Sequence, residues 1–101
     1  MKRLTQLLGL CMRAGGVLSG EKVCLQAIRS GGAFVALLDE AVAANGRKAI
    51  EDACKSHEVP LIELEAYALG DAIGKYGRMA AVVTNEGFAK KLMELAAELK
   101  R

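Results

Sequence analysis

Lys22, Gln26 and Arg29 recur at helical spacing within VLSGEKVCLQAIRSGGAFVALLDE, the segment from Val17 to Glu40. Residues three and four apart share a helix face, so these three polar side chains point the same way. Val23, Cys24, Ala27 and Ile28 fall on the opposite, apolar face. Gly20 stands just before this helix, whose first turn presents unpaired backbone N–H groups and a partial positive charge. A lysine and an arginine on the wet face of such a helix suit a phosphate backbone. Any solvated helix face carries similar residues, so the stripe gains meaning only from its company.

That company is the loop LGDAIGKYGR, from Leu69 to Arg78. Its glycines allow close backbone approach, while Lys75, Tyr76 and Arg78 offer two cations and a stacking ring. A P-loop is excluded, because that motif needs GxxxxGK followed by Ser or Thr; Gly70 and Gly74 stand too close, and Tyr76 follows Lys75. The plain alternative is a helix ended by a C-cap glycine at Gly74 and followed by a turn.

Catalysis finds little to work with. The single histidine, His57, closes a predicted helix, and neither GxSxG nor a metal-ligand cluster accompanies it. Asp39-Glu40, after an apolar strand, is the one candidate acid–base pair, and such a pair more often caps a following turn. No catalytic residue, metal or small-molecule cofactor is expected. An enzyme of the α/β kind would require a deep pocket with convergent polar groups near Asp39.

The elements that must position these residues follow from periodicity. Leu4, Leu7, Leu8 and Cys11 make a first helix that Gly15-Gly16 ends. A short strand from Val17 precedes the Gly20 helix, and a fully apolar strand follows Gly31-Gly32. Asn45 is the expected N-cap of a third helix, with Ala49, Ile50, Ala53 and Cys54 inside and Arg47, Lys48, Glu51, Asp52 and Lys55 outside. Val59-Pro60 breaks it before a strand over Leu61–Leu64. A short helix over Tyr67–Ile73 ends at Gly74, and Met79–Thr84 forms a second wholly apolar strand. Thr84 or Asn85 caps the last helix, whose seam is Phe88, Leu92, Leu95 and Leu99. Two strands without polar alternation imply burial on both faces, hence a three-layer α/β/α sandwich.

Composition agrees with one domain over residues 1–101, with no repeat, linker or low-complexity segment. The chain is 52% hydrophobic but only 4% aromatic, so its core is aliphatic. A net charge of +2 is too mild to announce a nucleic-acid partner by itself. Cys11, Cys24 and Cys54 show no CxxC spacing and each lies on an apolar helix face, which points to buried free thiols in a reducing cytoplasm. The leucine run near the start is short and interrupted by Gln6, so neither a secretory leader nor a membrane span is expected.

SGEKVCLQAIRSGGAFVALLDE, then LGDAIGKYGR and AVVTNEGFAKKL, resemble the kink-turn RNA-binding ribosomal family of the L-seven-Ae and L-thirty-e type. The likeness is greater to its bacterial, YlxQ-like branch and spans essentially the whole chain. It implies about five helices around a four-stranded mixed sheet. It also implies binding to structured RNA, kink-turn or ribosomal, with the ribosome as a setting. Contacts would come from Gly20, Lys22, Gln26 and Arg29 on the helix, and from Ile73, Gly74, Lys75, Tyr76 and Arg78 in the loop, which meets an extruded nucleotide. Archaeal and eukaryotic members carry Asn-Glu and then Lys where this chain has Lys22, Val23 and Gln26. Bacterial members often have lysine where Gly16 and Gln26 stand. The alternative function on the same fold is a protein-interaction module with weak or no specific RNA binding.

Overall fold

Two strands set the architecture. β2 (Val35–Asp39) and β4 (Ala80–Val83) are buried at every residue, so helices must cover both of their faces. β1 (Val17–Ser19) and β3 (Leu61–Leu64) complete a four-stranded sheet in the order β1-β4-β2-β3. The β1–β4 and β4–β2 pairs are antiparallel, and β2–β3 is parallel. The computed structural model describes residues 1–99.

Alternation along the strands divides the core in two. Val35, Leu37, Ala81 and Val83 face α1 (Lys2–Arg13), α4 (Ala68–Ile73) and α5 (Glu86–Leu99), meeting Leu4, Leu8, Leu69 and Leu92. Ala36, Leu38, Ala80 and Val82 face α2 (Glu21–Arg29) and α3 (Ala44–Ser56), meeting Cys24, Ile28, Ile50 and Cys54. The expected three-layer sandwich with a mixed sheet is what the chain forms.

Register fixes what lies at each end. Ser19 pairs with Ala81, Leu38 with Ala80 and Asp39 with Leu64. The ends of β1, β2 and β3 and the start of β4 therefore share one pole of the sheet. Every loop leaving that pole joins a common surface.

Four local expectations change or resolve. Val23 is 43% exposed. It lies roughly 100° around the helix from Cys24, at the rim of a face that only Cys24, Ala27 and Ile28 bury. Asn45 is not a cap: the helix starts at Ala44, with extended Ala43 before it and no side-chain cap bond. Asn85 rather than Thr84 caps α5, its Oδ1 accepting the Phe88 N–H at 2.9 Å. Leu99 is 51% exposed at the helix end, and the α5 seam is completed by Ala89 instead.

All three cysteines are free and buried. Burial pushes the Cys24 thiol from 9.0 up to about 12, the nearby Cys54 adds to this, and Arg78 partly offsets it. The folded state thus holds this proton where the unfolded chain has lost it. Its contribution to stability is full below pH 9 and is lost between about pH 9 and 12. Cys24→Ala is expected to flatten this alkaline loss relative to wild type, measured as urea-unfolding free energy across pH 8 to about 11. Native protein is also expected to resist a thiol reagent at pH 8 until denaturant is added.

Candidate nucleic-acid interface

The pole is built around glycines placed where side chains cannot go. Gly20 has φ +104 and ψ 141, outside the ordinary range of L-residues. Its N–H donates to the Ala80 carbonyl at 3.0 Å, and its carbonyl accepts the Cys24 N–H at 2.9 Å. It therefore closes the sheet and opens α2 in one residue. A Cβ added there would sit 3.4 Å from Nη1 of Arg78.

Arg78 joins the two candidate segments. Its Nη1 donates to the Ser19 carbonyl at 2.9 Å and to Ser19 Oγ at 2.8 Å, bridging the late loop to the residue before Gly20. The guanidinium is half-buried, so it is first a tie within the protein.

The loop after α4 folds back on its own helix. Gly74 ends α4 in the left-handed conformation, and the Lys75 N–H donates to the Gly70 carbonyl at 2.9 Å. A Cβ on Gly70 would come within 2.9 Å of the Lys75 carbonyl oxygen, so only glycine admits this turn. Lys75 and Tyr76 project outward, and Tyr76 is 89% exposed. The expected C-cap glycine at Gly74 holds for this loop.

Asp39 secures the neighbouring loops. Its carboxylate is fully buried and accepts N–H bonds from Ala41 and Tyr67 at 2.9 Å and from Leu69 at 3.1 Å. Committed to backbone amides, it is a turn-capping group, as the commoner alternative had it. Tyr67, held there at φ +66, stands 70% exposed at the same pole. Sequence reading placed it inside a helix. No composition signal marks a tyrosine forced outward by a strained backbone.

Between the two segments lies a cleft of about 340 Å³. Gly20, Glu21, Asn45, Gly77 and Arg78 form its sides, and Val42, Ile50, Met79 and Ala80 give it an apolar lining. Lys22 and Lys75 make no ion pair among the described residues, whereas Arg3, Arg47, Lys48 and Lys91 are paired with carboxylates elsewhere.

The structure therefore brings Gly20 and Arg78 together, with Lys22 in the first turn after Gly20 and Gly74, Lys75 and Tyr76 in the loop that leads to Arg78. It sets Arg29 and Ile73 apart. Gln26 is exposed midway along α2. Arg29, about 12 Å further along the helix than Glu21, borders a different cleft with Phe34, His57 and Glu58. The Ile73 side chain is 6% exposed and belongs to the core under α4. Among the described residues no group of His, Cys, Asp and Glu could hold a metal, and no helix is long and apolar enough to cross a membrane.

The sequence profile of the ribosomal protein L7Ae/L30e/S12e/Gadd45 family matches residues 2–93. The chain belongs to this family. Two relatives are both named RNA-binding protein YlxQ. The one from Bacillus subtilis (strain 168) is 42% identical over 90 residues, covering 88% of this chain and 90% of the relative. The one from Enterococcus faecium is 35% identical over 95 residues, covering 93% and 91%. A solved structure from Bacillus halodurans, of a protein with unknown function, superposes with a TM-score of 0.88 at 32% identity, covering 93% of this chain and 96% of that one.

If Arg78 and Gly70 shape the pole as described, their substitution is felt there first. Arg78→Ala is expected to speed amide hydrogen exchange at residues 74–79 roughly tenfold, since hydrogen bonds to a charged group contribute ~1.5–3 kcal/mol. Gly70→Ala should move the amide resonances of Lys75, Tyr76 and Gly77 while leaving those of Leu37 and Val82 in place. Uniform shifts throughout the sheet would contradict this local role.

Proposed function

We propose that this protein binds structured RNA of the kink-turn type, as a binding protein and not an enzyme, with the pole around Gly20 and Gly74–Arg78 as the contact surface. One observation carries this: the glycine-hinged helix start and the glycine-hinged loop are held side by side by the Arg78–Ser19 bonds. A sharply bent RNA brings its phosphates close together and exposes base edges, which suits a small cationic surface next to a cleft. Gly20 and Gly74 let RNA approach the backbone. Lys22 and Lys75 neutralise phosphate, and Tyr76 stacks on an unstacked base, worth ~1–3 kcal/mol.

Two features support the reading from outside the geometry: the family, and the RNA-binding name carried by both YlxQ relatives. The family's ribosomal members make ribosomal RNA, within the ribosome, the first source to test. Arg29 and Ile73 have no part in the contact proposed here, given their positions away from the shared surface. Val23 presents an exposed methyl-bearing side chain beside Lys22, so recognition at that point relies on shape and apolar contact.

The test is a titration of the purified chain against a kink-turn RNA and a matched duplex lacking the G·A pairs. The kink-turn should bind at least tenfold more tightly; equal affinity would leave only non-specific attraction. Lys22→Ala combined with Lys75→Ala should lower affinity and reduce the slope of log K against log salt by about two, one unit per phosphate contact. An unchanged slope would remove these lysines from the RNA.

A further inference from the structure

We propose that β3, an open edge of the sheet, pairs with β3 of a second copy of this chain, antiparallel and centred on Ile62. β3 stands last in the order β1-β4-β2-β3, so among the described residues no strand covers its outer side. Such an edge is a template for another strand unless something blunts it.

Alternation shows which backbone groups are left over. The Pro60 carbonyl accepts the Ala36 N–H at 2.9 Å, and the Leu64 carbonyl accepts the Glu40 N–H at 2.9 Å. Pro60, Ile62 and Leu64 therefore turn their backbone groups towards β2, while Leu61 and Glu63 turn theirs outwards. Among the described residues nothing bonds to that outward set. Pro60 lies just before the strand with its carbonyl turned inwards, so it leaves these groups open.

The charge that could close this edge is itself neutralised. Glu63 is the one charged residue of β3, and its Oε1 lies 2.7 Å from Nη2 of Arg47. Beside the strand runs a groove of about 360 Å³, lined by Met1, Leu4, Ala96 and Leu99 together with Leu61, Ile62 and Glu63. Leu99 is 51% exposed there. Open donors and acceptors thus adjoin apolar surface, the combination that strand addition uses.

Register identifies the occupant. A two-fold axis at Ile62 sets Leu61 opposite Glu63 of the second copy, and Glu63 opposite its Leu61. Each such pair exchanges N–H···O bonds in both directions, so every outward group of Leu61 and Glu63 is used. An axis at Glu63 would bring two carboxylates face to face, which repulsion opposes. An axis at Leu61 would call on the Val59 N–H, already given to the Cys54 carbonyl at 2.9 Å. At Ile62 the carboxylates are offset, and each stays on its own Arg47. Ile62 then meets its own copy on the face that carries Met1 and Leu4. A foreign strand would have to bring a matching set of residues, whereas a second copy supplies it by symmetry. The net charge of +2 leaves little self-repulsion. Pairing is independent of RNA binding; where that reading also holds, the antiparallel strands turn the two loop-bearing poles in opposite directions.

The experiment is sedimentation of the full chain without RNA, from about 1 µM to about 1 mM. Mass action should carry the observed mass from 10.7 kDa towards twice that value. Leu99→Lys changes an exposed side chain, so the dilute variant should melt with wild type while its association weakens roughly tenfold. Register is read by air oxidation. Ile62→Cys, opposite its own copy on the axis, should form an intermolecular disulfide, since Cα atoms in such a pair stand ~4.5 Å apart. Glu63→Cys is offset from its mate and should not, and neither should wild type, whose three cysteines are buried. Amide exchange of wild type supplies the arm that needs no core substitution. Protection at Leu61 and Glu63 should rise with concentration, and protection at Val17 on the other edge should not. A mass of 10.7 kDa throughout overturns the proposal and leaves the edge to a strand from another protein. A dimer that Leu99→Lys leaves intact, equal cross-linking of Ile62→Cys and Glu63→Cys, or concentration-independent exchange at Leu61 and Glu63 overturns it as well.

Discussion

The fully buried carboxylate of Asp39 organises the loop-bearing pole of this fold. One side chain at the end of β2 accepts N–H bonds from the β2–α3 turn and from two residues at the start of α4. Its own N–H donates at 2.8 Å to the carbonyl of Met79, the residue that begins the return into β4. Three connections are thereby fixed to one residue. Hydrogen bonds to a charged acceptor contribute ~1.5–3 kcal/mol each, and leaving the amides unpaired would cost comparable amounts. The strained backbone of Tyr67 persists because this acceptor over-determines it.

Given that anchor, the remaining geometry follows in steps. Met79 is placed, so Arg78 reaches Ser19 across the end of β4. Arg78 in turn limits how far the Gly74–Gly77 turn can drift, and Gly70 lets that turn lie against α4. A surface assembled this way is preorganised, and little ordering entropy is left for a ligand to overcome. Rigid placement of Gly20 also matters for the sheet, since its N–H extends the β1–β4 pairing by one bond.

Much of this was legible in the residues. Apolar runs without alternation gave the two buried strands, and helical spacing gave four of the five helices, because both patterns report burial directly; the short α4 was read from its closing glycine at Gly74. The Gly20 and Gly74 hinges were visible because glycine marks conformations other residues avoid. What was not legible depended on partners distant in sequence. Val23 reads as apolar and helical, but whether a rim position is covered depends on the width of the neighbouring layer. Asn45 is a good cap by type, yet the helix starts one residue earlier, at Ala44, with extended Ala43 in the cap position. Arg78 reads as a free cation until Ser19, far away in the chain, is placed beside it. Arg29 shares a helix face with Lys22, but a shared face does not mean a shared end.

Charge distribution constrains how such a surface can work. The net charge is only +2, and Arg47, Lys48 and Lys91 are neutralised by neighbours on their own helices or on the adjacent strand. Those exposed pairs add little stability, but each cancels a positive charge that could have attracted a polyanion from a distance. The unpaired Lys22 and Lys75 at the pole act within about a Debye length of ~8 Å at physiological salt. Long-range attraction between so small a net charge and a polyanion is therefore weak. For an RNA ligand, discrimination then has to come from short-range terms: backbone approach at the glycines, an exposed tyrosine, and a cleft with opposite charges on its sides. A surface of that kind tolerates few imperfect partners, since one unmatched polar group cancels much of what two lysines contribute.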